Sequence, residues 1–175
     1  MKKQRKSYTI HKSKISQAEK DLSASESLKR NLEQTVYRVD SVATINQIEF
    51  ICDTRAKDLL STRDTFKYIE KPIVWISAKP KHERDYSLIE IYLEKKLRGI
   101  VMYGMNGVDS RNKLSDFVEH FEVETLLVDA VKTAQRIAVA GDAVVLSPSC
   151  MAHDEYINYV DRGNAFKQIV IELEK

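Results

Sequence analysis

The stretch Asp129–Cys150, DAVKTAQRIAVAGDAVVLSPSC, carries the decision about the fold. Its first half reads as a helix, with Asp129 near the start and Gly141 as the stop signal. AVVLS then forms a short apolar run, as a strand buried on both faces requires. The run breaks off in small polar residues, Ser147, Pro148 and Ser149. Open α/β sheets hold their ligands beyond the C-terminal ends of such strands.

The same alternation extends to both sides. Upstream, YSLIEIYLEKKL reads as helix and GIVMYG as strand, SRNKLSDFVEHF as helix and ETLLV as strand. Downstream, RGNAFKQIVIELE reads as the final helix. Strand and helix in turn, joined by short connections, predict a parallel sheet with helices on both faces. Further towards the N-terminus, IVWIS is a short buried strand preceded by Pro72. AKDLLSTRDTFKYIE is an amphipathic helix with Leu59, Leu60, Thr62, Phe66 and Ile69 near helical spacing. VYRVDSVAT and IEFICD read as a strand hairpin turning at Asn46. The expectation is therefore a Rossmann-like α/β domain over 25–175, a parallel sheet with a mixed edge from the hairpin. A basic tail and helix over 1–24 precede it, and Ser25 is a candidate N-cap for a second helix.

Composition limits the function classes. The chain has 175 residues, 43% hydrophobic and 31% charged, with a net charge of +2. That is globular, with no overall pull towards nucleic acid. The charge is uneven, because Lys2, Lys3, Arg5, Lys6, Lys12 and Lys14 meet no acidic residue among them. Such an arm is either solvated or a tether for an anionic partner such as RNA, membrane or protein. The arm lacks an apolar signal-peptide core, and no apolar run is long enough to span a membrane. Cys52 and Cys150 read as buried thiols in a reducing compartment, so a cytoplasmic location is expected.

Motifs narrow the chemistry. Neither G-x-x-x-x-G-K-[ST] nor G-x-G-x-x-G occurs. GMNGVDS (104–110) joins a strand to a helix, and reads as a plain connection or as a small-anion loop with Asp109 or Ser110 as N-cap. The histidines His11, His82, His120 and His153 show no metal-ligand spacing, and no metal is expected. His120 is placed on a helix among acidic residues. His153 beside Asp154 is a surface or capping pair unless Ser149 or Cys150 faces it as a nucleophile. In CDTRAKD (52–58), Asp53 or Thr54 can cap the following helix. Arg55 then stands near the positive helix end, where a cation is disfavoured. Either an anionic ligand or a salt bridge to Asp53 or Asp58 would answer it.

Two of these segments carry a resemblance. LSPSCMAHDEYINYVDRGNAF is similar to the C-terminal domain signature of the Mur ligases, above all the D-glutamate-adding members, L-S-P-A-C-A-S-x-D-x-F-x-N-F-x-x-R-G-x-x-F. Leu146, Ser147, Pro148, Cys150, Asp154, Asn158, Arg162, Gly163 and Phe166 match as they stand. ICDTRAKDLLST is similar to I-N-D-S-K-A-T-N-x-x-S-T, and Arg38 keeps the arginine of H-R-x-E. The resemblance implies a Rossmann-like domain that receives an amino acid. ATP and magnesium are held mainly by another domain of that family, so no cofactor is expected here. It places Arg55 where the family's lysine meets a ligand carboxylate, with Ser147, Ser149, His153 and Tyr159 around it. Asp53, Asp154, Asn158 and Arg162 support the site.

The departures are as specific as the matches. Ala152 lacks the family serine's hydroxyl, Tyr159 replaces a phenylalanine, and AKPKHE (78–83) replaces G-G-x-x-K-G. Lys57 and Asp58 replace a threonine and an asparagine. The resemblance thus implies a relative without catalytic residues of its own, binding a small carboxylate or a protein partner. Half of a split amino-acid ligase is the first alternative. A nucleic-acid or surface-binding module using the basic arm is the second.

Overall fold

The computed structural model describes residues 39–152 and 155–175. The basic tail, the two helices expected from the sequence before the hairpin, and Arg38 fall outside the described residues, as do His153 and Asp154.

β1 (Asp40–Ile45) and β2 (Ile48–Cys52) form the expected antiparallel hairpin. Its two-residue turn puts Asn46 at φ 52° and Gln47 at φ 63°, both left-handed. That geometry matches the right-handed twist of the flanking strands. β2 then leads through a turn into α1 (Leu59–Tyr68) and β3 (Ile73–Ala78). The next helix starts tightly, as a 3-10 turn over Tyr86–Ile89, and continues as α2 (Glu90–Lys96) into β4 (Leu97–Tyr103). α3 (Arg111–Leu114), β5 (His120–Glu124), α4 (Leu127–Ile137), β6 (Ala143–Leu146) and α5 (Tyr159–Glu172) complete the described chain.

The six strands lie in the order β1-β2-β6-β3-β4-β5. Every pair except β1·β2 is parallel. From β3 the chain moves outward to β4 and β5, then returns through α4 to place β6 between β2 and β3. The helices after β2 and β3 pack on one face, and the helix after β6 packs on the other. The crevice beyond β6 is therefore the topological switch point.

Two expectations need correction. SRNKLSDFVEHF is not one helix: α3 is a single turn, a 3-10 turn covers Ser115–Phe117, and the strand has begun by His120. HFEVE buries Phe121 and exposes His120 and Glu122, the period-two pattern of an edge strand. His120 is thus exposed on a strand rather than a helix. ETLLV supplies only the last residue of β5, and its leucines start α4. α4 also ends at Ile137, and Gly141 sits beyond it at φ 96° in the turn into β6.

The sheet carries a core on each face. Val74, Ile76, Val101, Val144 and Leu146 pack against α4 and α5. Trp75, Ile100, Met102 and Val145 point the other way, towards α1 and α2. Each such side chain contributes about 1.5–3 kcal/mol on burial. Trp75 meets Phe66 edge-on at 5.4 Å, and its indole N–H donates to the Ser147 carbonyl at 2.7 Å. Among the described residues no helix is long and apolar enough to cross a membrane.

Candidate functional site

The C-terminal strand ends bring four segments together: the loops after β2, β3 and β6, and the start of α5. The loop after β2 differs from the sequence expectation. Asp58, not Asp53 or Thr54, caps α1, accepting from the Ser61 N–H at 2.7 Å. The helix therefore starts later, and Arg55 lies in the turn before it. Arg55 is exposed and makes no ion pair among the described residues, so neither Asp53 nor Asp58 answers it. Lys57 is likewise exposed. Asp53 is wholly buried and accepts a hydrogen bond from the Thr65 hydroxyl.

Arg162 holds this loop in place. It sits on the first turns of α5, 2% exposed. Its Nη2 donates to the carbonyls of Thr54 and Cys150, both at 3.0 Å, and its Nε to the Thr54 hydroxyl at 3.2 Å. The Thr54 hydroxyl in turn donates to the Tyr159 carbonyl at 2.8 Å. One buried guanidinium thus fixes the loop carrying Arg55 against the loop after β6 and the helix carrying Tyr159. Asn158 caps that helix, accepting from the N–H groups of Val160 and Asp161. Tyr159 is its first residue and is 47% exposed. Gly163 lets the helix approach: a Cβ there would stand 2.8 Å from Thr54 Cγ2.

The two serines expected on the crevice, Ser147 and Ser149, are buried in this structure. The Ser147 hydroxyl bonds to the Thr62 hydroxyl at 2.9 Å, and its carbonyl is taken by Trp75. Ser149, at φ 52°, receives the Arg84 guanidinium at 2.5 Å and lies 3.3 Å from the Ser77 hydroxyl. Both serines lie at the crevice floor, where their hydroxyls are bonded within the protein. His153 and Asp154, the other expected members, are outside the described residues.

The sequence reading missed Arg84. It is half-buried, reaches from the loop after β3 to the loop after β6, and makes no ion pair among the described residues. The segment AKPKHER carries the signal: Lys79 stands where the family has its second glycine, and Lys81 and Arg84 add two more cations. Arg55, Lys57, Lys79, Lys81 and Arg84 give this edge of the sheet a basic rim. Cys52 is buried, which pushes its thiol up to about 11, so it is no nucleophile at neutral pH. Among the described residues no three His, Cys, Asp or Glu side chains group to hold a metal ion. GMNGVDS is a connection, in which Asp109 accepts from the Arg111 N–H and α3 is too short to form an anion site.

No protein-family model matches the chain. Single relatives do. The UDP-N-acetylmuramoylalanine–D-glutamate ligase of Cytophaga hutchinsonii is 30% identical over 137 residues, which is 78% of this chain and 30% of that protein. The ligase of the same name from Bacteroides fragilis is 32% identical over 142 residues, 78% of this chain and 31% of the relative. This chain thus spans about a third of the length of the curated relatives it matches. A solved domain assigned to a UDP-N-acetylmuramate:L-alanyl-γ-D-glutamyl-diaminopimelate ligase of Haemophilus ducreyi covers 77% of this chain and is itself covered to 95%. It is 14% identical with a TM-score of 0.43, too distant to carry an assignment.

Proposed function

We propose, for a chain that is a Mur ligase C-terminal-type domain related to the D-glutamate-adding ligases, that it binds a small acidic amino acid or dicarboxylate and ligates nothing by itself. The carrying observation is Arg55. It is an exposed cation with no ion pair among the described residues, on a loop held rigid by Thr54 and Arg162. A guanidinium takes a carboxylate through two parallel hydrogen bonds, which a lysine ammonium does not. Tyr159 flanks it, joined to the same loop through Thr54, and offers one aromatic face and one hydroxyl. Peptidoglycan precursor synthesis is the setting this family suggests. ATP and magnesium chemistry belongs to parts of the relatives that this chain does not match.

A thermal-shift series with D-glutamate, L-glutamate and glutarate tests the reading. A ligand at 100 times its dissociation constant raises stability by about 2.7 kcal/mol. The melting temperature should rise, and Arg55→Ala should cancel the rise. Curves that stay unmoved by every acidic ligand would end this reading.

A second reading is favoured by Met151, Ile157 and Val160, which are 68%, 91% and 50% exposed beside Tyr159. Such a strip suits a protein partner supplying the rest of a split ligase. Mixing the chain with a D-glutamate-adding ligase truncated of its own C-terminal domain distinguishes the two. ATP-dependent ligation restored by the mixture establishes the split enzyme, and no complex at micromolar concentrations rules it out.

A further inference from the structure

A small recess of about 20 Å3, open to solvent at its mouth, lies between the C-terminal ends of β3 and β4 and the start of α4. Lys79, Tyr103, Gly104, Leu126, Glu155 and Arg162 are among its walls. Of the basic rim it takes in Lys79, and Arg55 is not among its walls.

Three features of its walls lack the partners that burial demands. Tyr103 is 3% exposed, and its hydroxyl has no hydrogen-bond partner among the described residues. A buried hydroxyl left unpaired costs about 1–3 kcal/mol. Arg162 is buried, yet its three hydrogen bonds all go to neutral oxygens, and among the described residues no carboxylate pairs with it. A buried cation without a counter-ion is unfavourable. Burial raises the Tyr103 phenol and keeps it protonated; the Arg162 guanidinium, near enough for a weak contact with the phenol oxygen but not a hydrogen bond of good geometry, works against that rise. Finally, α4 is an 11-residue helix whose N-cap is Leu126, which has no side-chain acceptor for the first-turn N–H groups. A helix start of this kind is an attractive seat for negative charge.

Phenol hydroxyl, guanidinium and helix N-terminus are all donors, and they converge. We infer that the recess is a binding site for one small oxyanion, a phosphate or carboxylate head group, held by Tyr103, Arg162 and the first turn of α4. Gly104, at φ 125° with nothing within 3.5 Å of a notional Cβ, leaves backbone clear for a close approach. Lys79 adds positive charge at the mouth. Glu155 at the mouth and Asp129 in the first turn of α4 oppose it. They set an upper limit on affinity and make the charge selectivity testable. Entry requires the exposed Met105 and Leu126 side chains to turn aside, a rotamer change of a kind common on binding.

The experiment is an amide NMR titration of the full chain with inorganic phosphate and, separately, acetate, at fixed pH and with chloride-matched ionic strength. Saturable shifts are expected at Gly104, Leu127 and Val128. Tyr103→Phe, which removes one oxygen and keeps the packing, should weaken binding roughly tenfold. Glu155→Gln should strengthen it several-fold by removing a like charge. Phosphate saturating first assigns the site to phosphate-bearing ligands, and acetate saturating first assigns it to carboxylates. Chloride producing the same shifts, no saturation with either anion, or unchanged affinity in Tyr103→Phe would overturn the inference, leaving an ordered water as the occupant. Weakening by Glu155→Gln would overturn it as well, because it would mark a cation site. Arg55→Ala should change none of these values, so this site and the carboxylate site at Arg55 stand or fall separately.

Discussion

Arg84 Nη1 donates to the Ser149 hydroxyl at 2.5 Å, and so ties the loop after β3 to the loop after β6. These loops leave adjacent parallel strands towards opposite faces of the sheet. The bond spans the point where they part. It also holds a non-glycine residue in the left-handed region, a conformation that costs energy unless its surroundings impose it.

Arg84→Ala should lower stability by about 1 kcal/mol, since the arginine is half-exposed and Ser149 keeps its neighbour Ser77. Calorimetry should show the melting temperature falling by about 2–4 °C. A melting temperature equal to that of the parent chain would mean that Ser77 and the backbone alone hold the loop.

Gly163→Ala sets helix propensity against a clash. Alanine gains up to about 1 kcal/mol in a helix interior, but its Cβ would press on Thr54 Cγ2 at 2.8 Å. The clash should win, with a net loss of about 1–2 kcal/mol by urea denaturation. Thr54→Ser removes that methyl and keeps the hydroxyl, so in its background Gly163→Ala should become neutral or stabilising. A double-mutant cycle without coupling would refute the contact.

The Lys96 ammonium donates to the carbonyls of Phe66 at 2.9 Å and Ile69 at 2.6 Å, ending α1. Lys96→Met keeps the stem and removes these bonds. A loss of about 1–2 kcal/mol is expected, together with faster amide exchange confined to the last turn of α1. Uniformly faster exchange across the sheet would point to a different role for this lysine.

Cys52 gives a pH dependence of known sign. Burial raises its thiol from 9.0 to about 11. The unfolded chain therefore releases this proton first as pH rises. The group costs nothing below pH 9 and destabilises the fold progressively between pH 9 and about 11. Stability measured at pH 7.5 and pH 10.5 should fall more for the parent chain than for Cys52→Ala. Equal falls would show that other groups govern the alkaline limb.

Most of the framework was legible before any coordinates. The apolar runs of β3, β4 and β6, alternating with helical stretches, pointed to a covered parallel sheet. β5 was misplaced because an exposed edge strand alternates, and its neighbours in sequence share apolar residues with the following helix. The candidate site was less legible. Arg55 and Arg162 were found through motif spacing. Arg84 and Tyr103 were not, because their significance comes from what they meet or fail to meet. Arg84 finds a serine 65 positions away, and the Tyr103 hydroxyl is buried without a hydrogen bond of good geometry among the described residues.

By itself the sequence determined the βα alternation, the buried strands at the centre of the sheet and the family likeness, because these depend on residue periodicity and short motifs. Only the tertiary structure decided that Ser147 and Ser149 are sealed, that Asp58 rather than Asp53 caps α1, and that Arg162 serves three oxygens in two loops. Those outcomes depend on hydrogen bonds between segments far apart in the chain. The geometry of such bonds is set by how the layers pack, which no local pattern encodes.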